Sequence, residues 1–161
     1  MPKKRKKRRR RGGLGRMLRP LSLLLAAAAI VAALTMFFKV ETIQVTGASR
    51  YQAADIIAAS GVEVGDNLVL LDRYRVSQRI YTALPYITDV QPRPRFPSTL
   101  EIEVTETRAA AAIQGAGGWW LLSAGGKILE AADGSMAAGY PQITGVYAKD
   151  PAVSAPLVLP E

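Results

Sequence analysis

The side chains that most often carry enzyme chemistry are scarce in this sequence. It contains no histidine and no cysteine, which excludes thiolate or imidazole zinc sites and the Ser-His-Asp and Cys-His triads. Outside residues 1–20 the only lysines are Lys39, Lys127 and Lys149, so a Ser–Lys dyad has few candidates. Glu101 and Glu103 are two apart, a spacing that indicates one face of a strand rather than a catalytic cleft. We therefore predict no catalytic, cofactor-binding or metal-binding residues, no small-molecule substrate, and a protein that is not an enzyme.

The charge of the chain is unevenly distributed. The net charge is +8, but residues 1–20 hold 11 of the 21 Lys and Arg and no acidic residue. The remaining chain has 10 basic and 13 acidic residues, a net charge of −3. A nucleic-acid-binding function would therefore depend on the basic tail alone.

An uncharged stretch of 18 residues, from Leu21 to Phe38, follows the tail. As a helix it would extend roughly 27 Å, close to the ~30 Å hydrocarbon core of a bilayer. A cleaved signal peptide is one alternative, but no small residues follow the apolar run at a cleavage position. A buried core helix is another, but a body of this size could hardly enclose a helix that is apolar all round. We favour an uncleaved membrane anchor.

The flanking charges predict the orientation of this anchor. Positive residues stay in the cytoplasm, so the N-terminus is expected inside and residues 39–161 outside. The basic run of residues 3–11 also resembles a nucleic-acid-binding patch. Beside a membrane span, however, we expect it to set the topology and to contact anionic lipid, not nucleic acid. The residues predicted to set the topology are Lys3, Lys4, Arg5, Lys6, Lys7, Arg8, Arg9, Arg10 and Arg11.

Residues 39–107 predict a small two-layer domain of the order β-α-α-β-β. Residues 39–46 are rich in β-branched side chains and predict a strand. Helices are expected over residues 50–60, with Ser49 as N-cap and Gly61 as stop signal, and over residues 73–84, with Asp72 as N-cap. Alternation over residues 99–105 predicts a strand with one wet face.

Residues 86–95 read as an extended segment that contains two prolines. Pro92 and Pro94 cannot donate ladder hydrogen bonds, so an edge strand is predicted. Arg93 and Arg95 on this strand are a candidate partner-binding edge. The alternative, which we favour, is an edge kept soluble by charge and proline.

Residues 108–161 predict a second β-rich segment. A strand is expected over residues 109–113, and residues 119–122 and 127–130 flank the loop SAGG as a β-hairpin. Trp119 and Trp120 should then point to opposite faces, with a core or edge role preferred over a partner contact.

Five stretches carry a resemblance to a known family: FKVETIQVTG at 38–47, ASGVEVGDNLVLLD at 59–72, LPYITDVQPRPRFPSTLEIEVTE at 84–106, GWWLLSAGGKIL at 118–129 and YPQITG at 140–145. Their order and spacing resemble the bacterial cell-division family FtsQ, called DivIB in Gram-positives. The resemblance implies an α+β chain with a basic cytoplasmic tail (1–20), a transmembrane helix (21–38), a POTRA domain (39–107) and the start of a mostly antiparallel β-domain (108–161).

The resemblance also implies a function. Members of this family are non-catalytic, single-pass scaffolds in the inner membrane at the division septum, with FtsB and FtsL as partners. The β-domain of the family is longer than residues 108–161, so we expect a fragment or a shortened form that lacks the main FtsB-binding strands. The alternative is another POTRA-bearing factor of envelope assembly or secretion, although such proteins usually carry repeated POTRA units.

Overall fold

The computed structural model describes residues 14–159 of the chain, and side chains from residue 20 onward. These residues fall into two compact units, which meet in the chain between Phe37 and Phe38. The first unit is the helix α1, Leu14–Phe37. It begins seven residues before the predicted span and contains Pro20, and it ends one residue before Phe38. Phe38 instead packs against the core of the second unit.

The second unit consists of two lobes that share contacts. The first lobe, residues 38–107, contains β1 Thr42–Thr46, α2 Ala53–Ser60, α3 Arg73–Ala83, β2 Ile87–Arg95 and β3 Thr99–Glu106. The strands form a sheet of order β1-β3-β2, in which β1 is parallel and β2 antiparallel to β3. The predicted element order is confirmed, and β2 lies at an edge as its prolines predict.

Local signals explain most boundaries in the first lobe. Gly61 ends α2 in the left-handed conformation with φ of 64°, and Asp72 begins α3 by accepting a hydrogen bond from the Arg75 N–H at 3.1 Å. The strand predicted from residue 39 begins only at Thr42, because the backbone around Lys39 pairs with Asn67 in the loop between α2 and α3.

The predicted start of α2 is wrong. The helix begins at Ala53 with Gln52 as its N-cap, and not at residue 50 with Ser49 as its cap. The Ser49 hydroxyl donates to Glu106 at 2.6 Å. The N–H groups of Arg50 and Tyr51 also donate to this carboxylate, which holds the three residues in a bend outside the helix.

One face of the first sheet carries the core of the lobe. The helices α2 and α3 cover this face, and the apolar positions of β3 alternate inward as predicted. The buried side chains of this cluster are Val40, Ile56, Val62, Leu68, Val76, Ile80, Ile87, Val90, Leu100, Ile102 and Val104.

The second lobe, residues 108–159, contains β4 Ala109–Gly115, β5 Gly118–Ser123, β6 Ile128–Ala132, the short helix α4 Gly134–Ala137 and β7 Gln142–Ala148. The strand order is β6-β5-β4-β7, with β7 parallel to β4 and the other pairs antiparallel. The hairpin of β5 and β6 is confirmed, whereas the sequence did not predict α4 or β7. Trp119 and Trp120 pack in clusters on different faces of this sheet, as the alternation predicts.

Candidate interaction surfaces

The helix α1 exposes an apolar surface over the part whose side chains the structure describes. Its segment Pro20–Phe37 has a mean hydropathy of 2.2 and none of it is buried. The segment has 18 residues, which is long and apolar enough to cross a bilayer. The chain therefore fits a single-pass membrane protein. The basic residues Lys3 to Arg11, predicted to set the topology, lie outside the described residues.

The polar face of the first sheet brings Arg93 and Arg95 together with two glutamates of β3. Arg95 Nε lies 2.6 Å from Glu101 Oε2, and Arg93 Nη1 lies 2.9 Å from Glu103 Oε2. The hydrogen bond from Arg95 holds the pKa of Glu101 below its usual value. Glu101 and Glu103, whose spacing predicted one face of a strand, are thus the ion-pair partners of the two arginines. The arginine side chains lie across the face of the sheet.

The outer edge of β2 is a poor template for an added strand. The ladder between β2 and β3 runs without a shift from Asp89 to Arg95. Alternate residues direct their backbone groups to opposite sides, and the Val90 carbonyl accepts from Ser77 of α3 at 3.1 Å, on the side away from β3. Pro92 and Pro94 share that side and have no N–H to donate. Strand addition at β2 would therefore lack donors along this stretch.

A carboxylate at the end of β3 holds the backbone that precedes α2. Glu106 accepts from the Ser49 hydroxyl and from the N–H groups of Arg50 and Tyr51, at 2.6, 2.9 and 3.2 Å. Burial alone would raise the pKa of Glu106, but these hydrogen bonds outweigh it and lower the pKa. The side chain therefore acts as a structural anion and not as a proton donor at neutral pH.

A polar cluster joins the two lobes. The Tyr86 hydroxyl donates to Glu130 Oε1 of β6 at 2.5 Å, and the Arg50 guanidinium lies 3.7 Å from the centre of the Tyr86 ring. Burial, reinforced by the adjacent Glu130 carboxylate, raises the pKa of Tyr86 well above its usual value. The phenol thus stays protonated and keeps its donor role.

Lys127 makes the deepest polar contact in this junction. It comes from the hairpin loop of the second lobe and is 4% exposed. Its ammonium donates to two carbonyls of the first lobe, that of Ile87 at 2.7 Å and that of Tyr81 at 3.0 Å, and lies 3.4 Å from the centre of the Tyr81 ring. Burial lowers its pKa to about 8. Because both carbonyls belong to the first lobe, this lysine fixes how the lobes meet.

The sequence did not predict this junction. Glu130 looks like an ordinary strand residue, and Tyr86 follows a helix-ending proline. Lys127 offered one signal, since it is an isolated lysine directly before a buried apolar strand. In the part of the chain that the structure describes, no group of three or more acidic side chains could hold a metal ion.

Comparison with known proteins identifies the first lobe. The family model described as "POTRA domain, FtsQ-type" matches residues 38–107. "Cell division protein FtsQ" of Corynebacterium glutamicum is 34% identical over 104 residues, which cover 65% of this chain and 46% of the relative. The protein of the same name from Geobacter sp. strain M21 is 32% identical over 111 residues, 69% of this chain and 40% of that relative.

Among solved structures, the N-terminal domain of Omp85 from Thermosynechococcus elongatus aligns at 18% identity with a TM-score of 0.38, covering 48% of this chain and 34% of that one. A likeness of this size supports no conclusion on its own. The chain spans less than half the length of the curated relatives it matches. The FtsQ-type match over the first lobe and the similarity to several FtsQ proteins agree: the first lobe is a POTRA domain of the FtsQ type, and the chain is similar to FtsQ cell-division proteins.

Proposed function

We propose that this protein is a non-catalytic membrane-anchored scaffold of the bacterial division machinery, which recruits and holds partners at the septum. The observation that carries the proposal is the FtsQ-type match beginning at residue 38, one residue after an apolar helix of membrane-spanning length. An exposed sheet edge can bind a partner by accepting an added strand. A single anchor keeps weak contacts at high effective concentration by confining both partners to one membrane.

The proposed topology places the N-terminal tail in the cytoplasm and residues 38–161 outside the inner membrane. The support is the charge asymmetry, with 11 basic residues and no acid in residues 1–20. A single-cysteine variant tests it, since the chain has no cysteine of its own. Tyr147→Cys, at an exposed position, should react with a membrane-impermeant maleimide in spheroplasts before lysis. Labelling that requires lysis would reverse the topology.

The partners proposed are FtsB and FtsL, as the family resemblance implies. Residues 1–161 include less than half the length of the matched relatives, so the test uses this chain itself. Crosslinking of the full chain in cells, followed by purification and detection of FtsB and FtsL, should recover at least one of the two. Recovery of neither, with the chain present in the membrane, would contradict this part of the proposal.

Localisation in dividing cells tests the scaffold function. A fluorescent protein fused to the N-terminus of the full chain should concentrate at midcell. The matched control carries the same fusion on residues 1–37 and should be distributed evenly around the envelope. An even distribution of the full chain would contradict a divisome function, and midcell enrichment of the control would assign recruitment to the anchor instead of the two lobes.

A further inference from the structure

The large apolar side chains that the first lobe leaves exposed are confined to one end of it. They lie in the loop between α2 and α3, at the first turn of α3, and in the turn between β2 and β3. They are Val64, Val69, Leu70, Tyr74 and Phe96. Contiguous exposed apolar surface on an otherwise polar domain marks a binding surface.

Hydrogen bonds hold these segments around the residues that follow α1. The Leu68 N–H donates to the Phe38 carbonyl, and the Val40 backbone bonds Asp66 and Gly65, each at 2.8 Å. On the other side, the Phe96 ring meets the Phe38 ring edge to face with centres 5.1 Å apart. We call residues 38–40, 63–74 and 96–98 the tip of the first lobe.

The tip lies next to the anchor in the chain. Phe38 is bonded directly to Phe37, the last residue of α1. Three residues of extended chain reach at most about 10 Å, which limits the length of chain between the end of α1 and Val40. An apolar surface joined to a membrane span by so short a length of chain is within reach of the bilayer interface.

The charge of the tip decides which force could hold it there. It has two basic residues, Lys39 and Arg73, and three acidic ones, Glu63, Asp66 and Asp72, and the acidic Glu41 is adjacent. This balance excludes attraction to anionic headgroups as the cause of binding. Burial of apolar side chains, with aromatic rings at the headgroup level, remains as the driving force.

We propose that the tip of the first lobe inserts Val69, Leu70 and Phe96 into the interfacial region of the bilayer that α1 crosses. The proposal rests on the membrane anchoring proposed above. The lobe is then held at the membrane in one orientation, with its polar sheet face free for partners. The occupant of this apolar surface is lipid, because the tip and the span are continuous in the chain and separated by no polar linker.

A matched pair of valines tests this proposal in the full chain. Val69 in the tip is 47% exposed, and Val153 in the second lobe is 48% exposed. Val69→Cys and Val153→Cys, each labelled with an environment-sensitive fluorophore, are reconstituted in phosphatidylcholine vesicles that contain lipids brominated near the headgroup end of the acyl chain. We expect quenching at residue 69 to exceed quenching at residue 153 by about twofold or more, and to be unchanged when phosphatidylglycerol is added.

A third probe separates failure of the insertion from failure of the anchor. Ile30→Cys in α1, labelled in the same way, should be quenched by bromines placed deep in the acyl chain. Quenching at residue 30 but equal weak quenching at residues 69 and 153 would overturn the insertion and leave the anchor intact. No quenching at residue 30 would overturn both. Shielding of residue 69 from aqueous iodide without lipid quenching would assign the tip to a protein surface and also overturn the proposal.

Discussion

The two lobes of the second unit are stabilised in different ways. The first lobe has a single continuous core between one sheet face and two helices. The second lobe has two small clusters on opposite faces of its sheet, and one of them includes Tyr86 and Tyr51 of the first lobe. The first lobe therefore has the packing of an independent domain, whereas the second completes its core against its neighbour.

The polar contacts follow the same division. Glu106 satisfies backbone donors within the first lobe, while Lys127 of the second lobe depends on carbonyls of the first. A buried ammonium without these acceptors would be costly. This contrast predicts that the stability of the second lobe depends on the first, but not the reverse. Unfolding of the first lobe should expose the core of the second, whereas unfolding of the second need not expose the core of the first.

Truncation of one core leucine in each lobe should have the largest effect on stability and should show most clearly how the two lobes differ. Leu100 and Leu121 are both fully buried, in the first and second lobe. Each Leu→Ala change should destabilise by about 2–5 kcal/mol. Leu100→Ala should raise amide hydrogen exchange in both lobes, whereas Leu121→Ala should raise it in residues 108–159 only. Exchange of the full chain in detergent micelles, read by mass spectrometry, measures both.

The pair of leucine variants serves as its own control, since residue type and burial are equal. If Leu121→Ala exposed β2 and β3 as much as Leu100→Ala does, the two lobes would form one cooperative unit and the comparison would be wrong.

Removal of the Lys127 amine should have a smaller effect at the junction. Lys127→Met keeps the length of the side chain but leaves the carbonyls of Tyr81 and Ile87 without their donor, at a cost of about 1–3 kcal/mol. Denaturant unfolding of the second lobe measures the change. The matched control is Lys149→Met, since Lys149 is exposed, and it should leave the midpoint unchanged. Equal midpoints for the two variants would show that Lys127 does not fix the junction.

The lowered pKa of Lys127 predicts that the stability of the folded chain depends on pH. Its folded pKa of about 8 lies below the ordinary value of 10.5, so the unfolded chain binds more protons between these values and stability rises with pH. We expect an increase of about 1 kcal/mol from neutral pH to the onset of tyrosine ionisation. Lys127→Met should abolish the increase and Lys149→Met should keep it. A flat profile for the unmodified chain would contradict the lowered pKa.

Much of the first lobe could be predicted from its sequence because its signals are local. Asp72 marks the start of α3 and Gly61 the end of α2, and the alternation along β3 sets its buried face. Each of these signals acts through neighbours in the chain. The start of α2 could not be predicted in this way. Ser49 and Glu106 are 57 residues apart, and their hydrogen bond overrides the local preference of a serine to cap a helix.

The second lobe and the junction were less predictable for the same physical reason. β7 pairs in parallel with β4 across an intervening hairpin and helix, so no turn specifies its register. Lys127 and Tyr86 acquire their roles only when the lobes meet. By contrast, α1 follows from composition alone, and the sequence also predicted β2 as an edge from Pro92 and Pro94.

Substitutions on the polar face of the first sheet should have the smallest effect on stability. Arg93 and Arg95 form exposed ion pairs, which contribute little to stability because solvent screens them. The double variant Arg93→Ala and Arg95→Ala should therefore unfold at the same denaturant concentration as the unmodified chain. The control exchanges two other exposed arginines, Arg79→Ala and Arg108→Ala.

Midcell imaging of these two double variants separates a solvated face from a binding face. Because Pro92 and Pro94 remove donors from the edge of β2, we expect the arginines to keep that edge soluble, and both variants should reach midcell as the unmodified chain does. Loss of midcell enrichment in the Arg93 and Arg95 variant alone, at unchanged stability, would mean that a partner contacts the arginine side chains across the sheet face. The first lobe would then bind through its face and not through its edge.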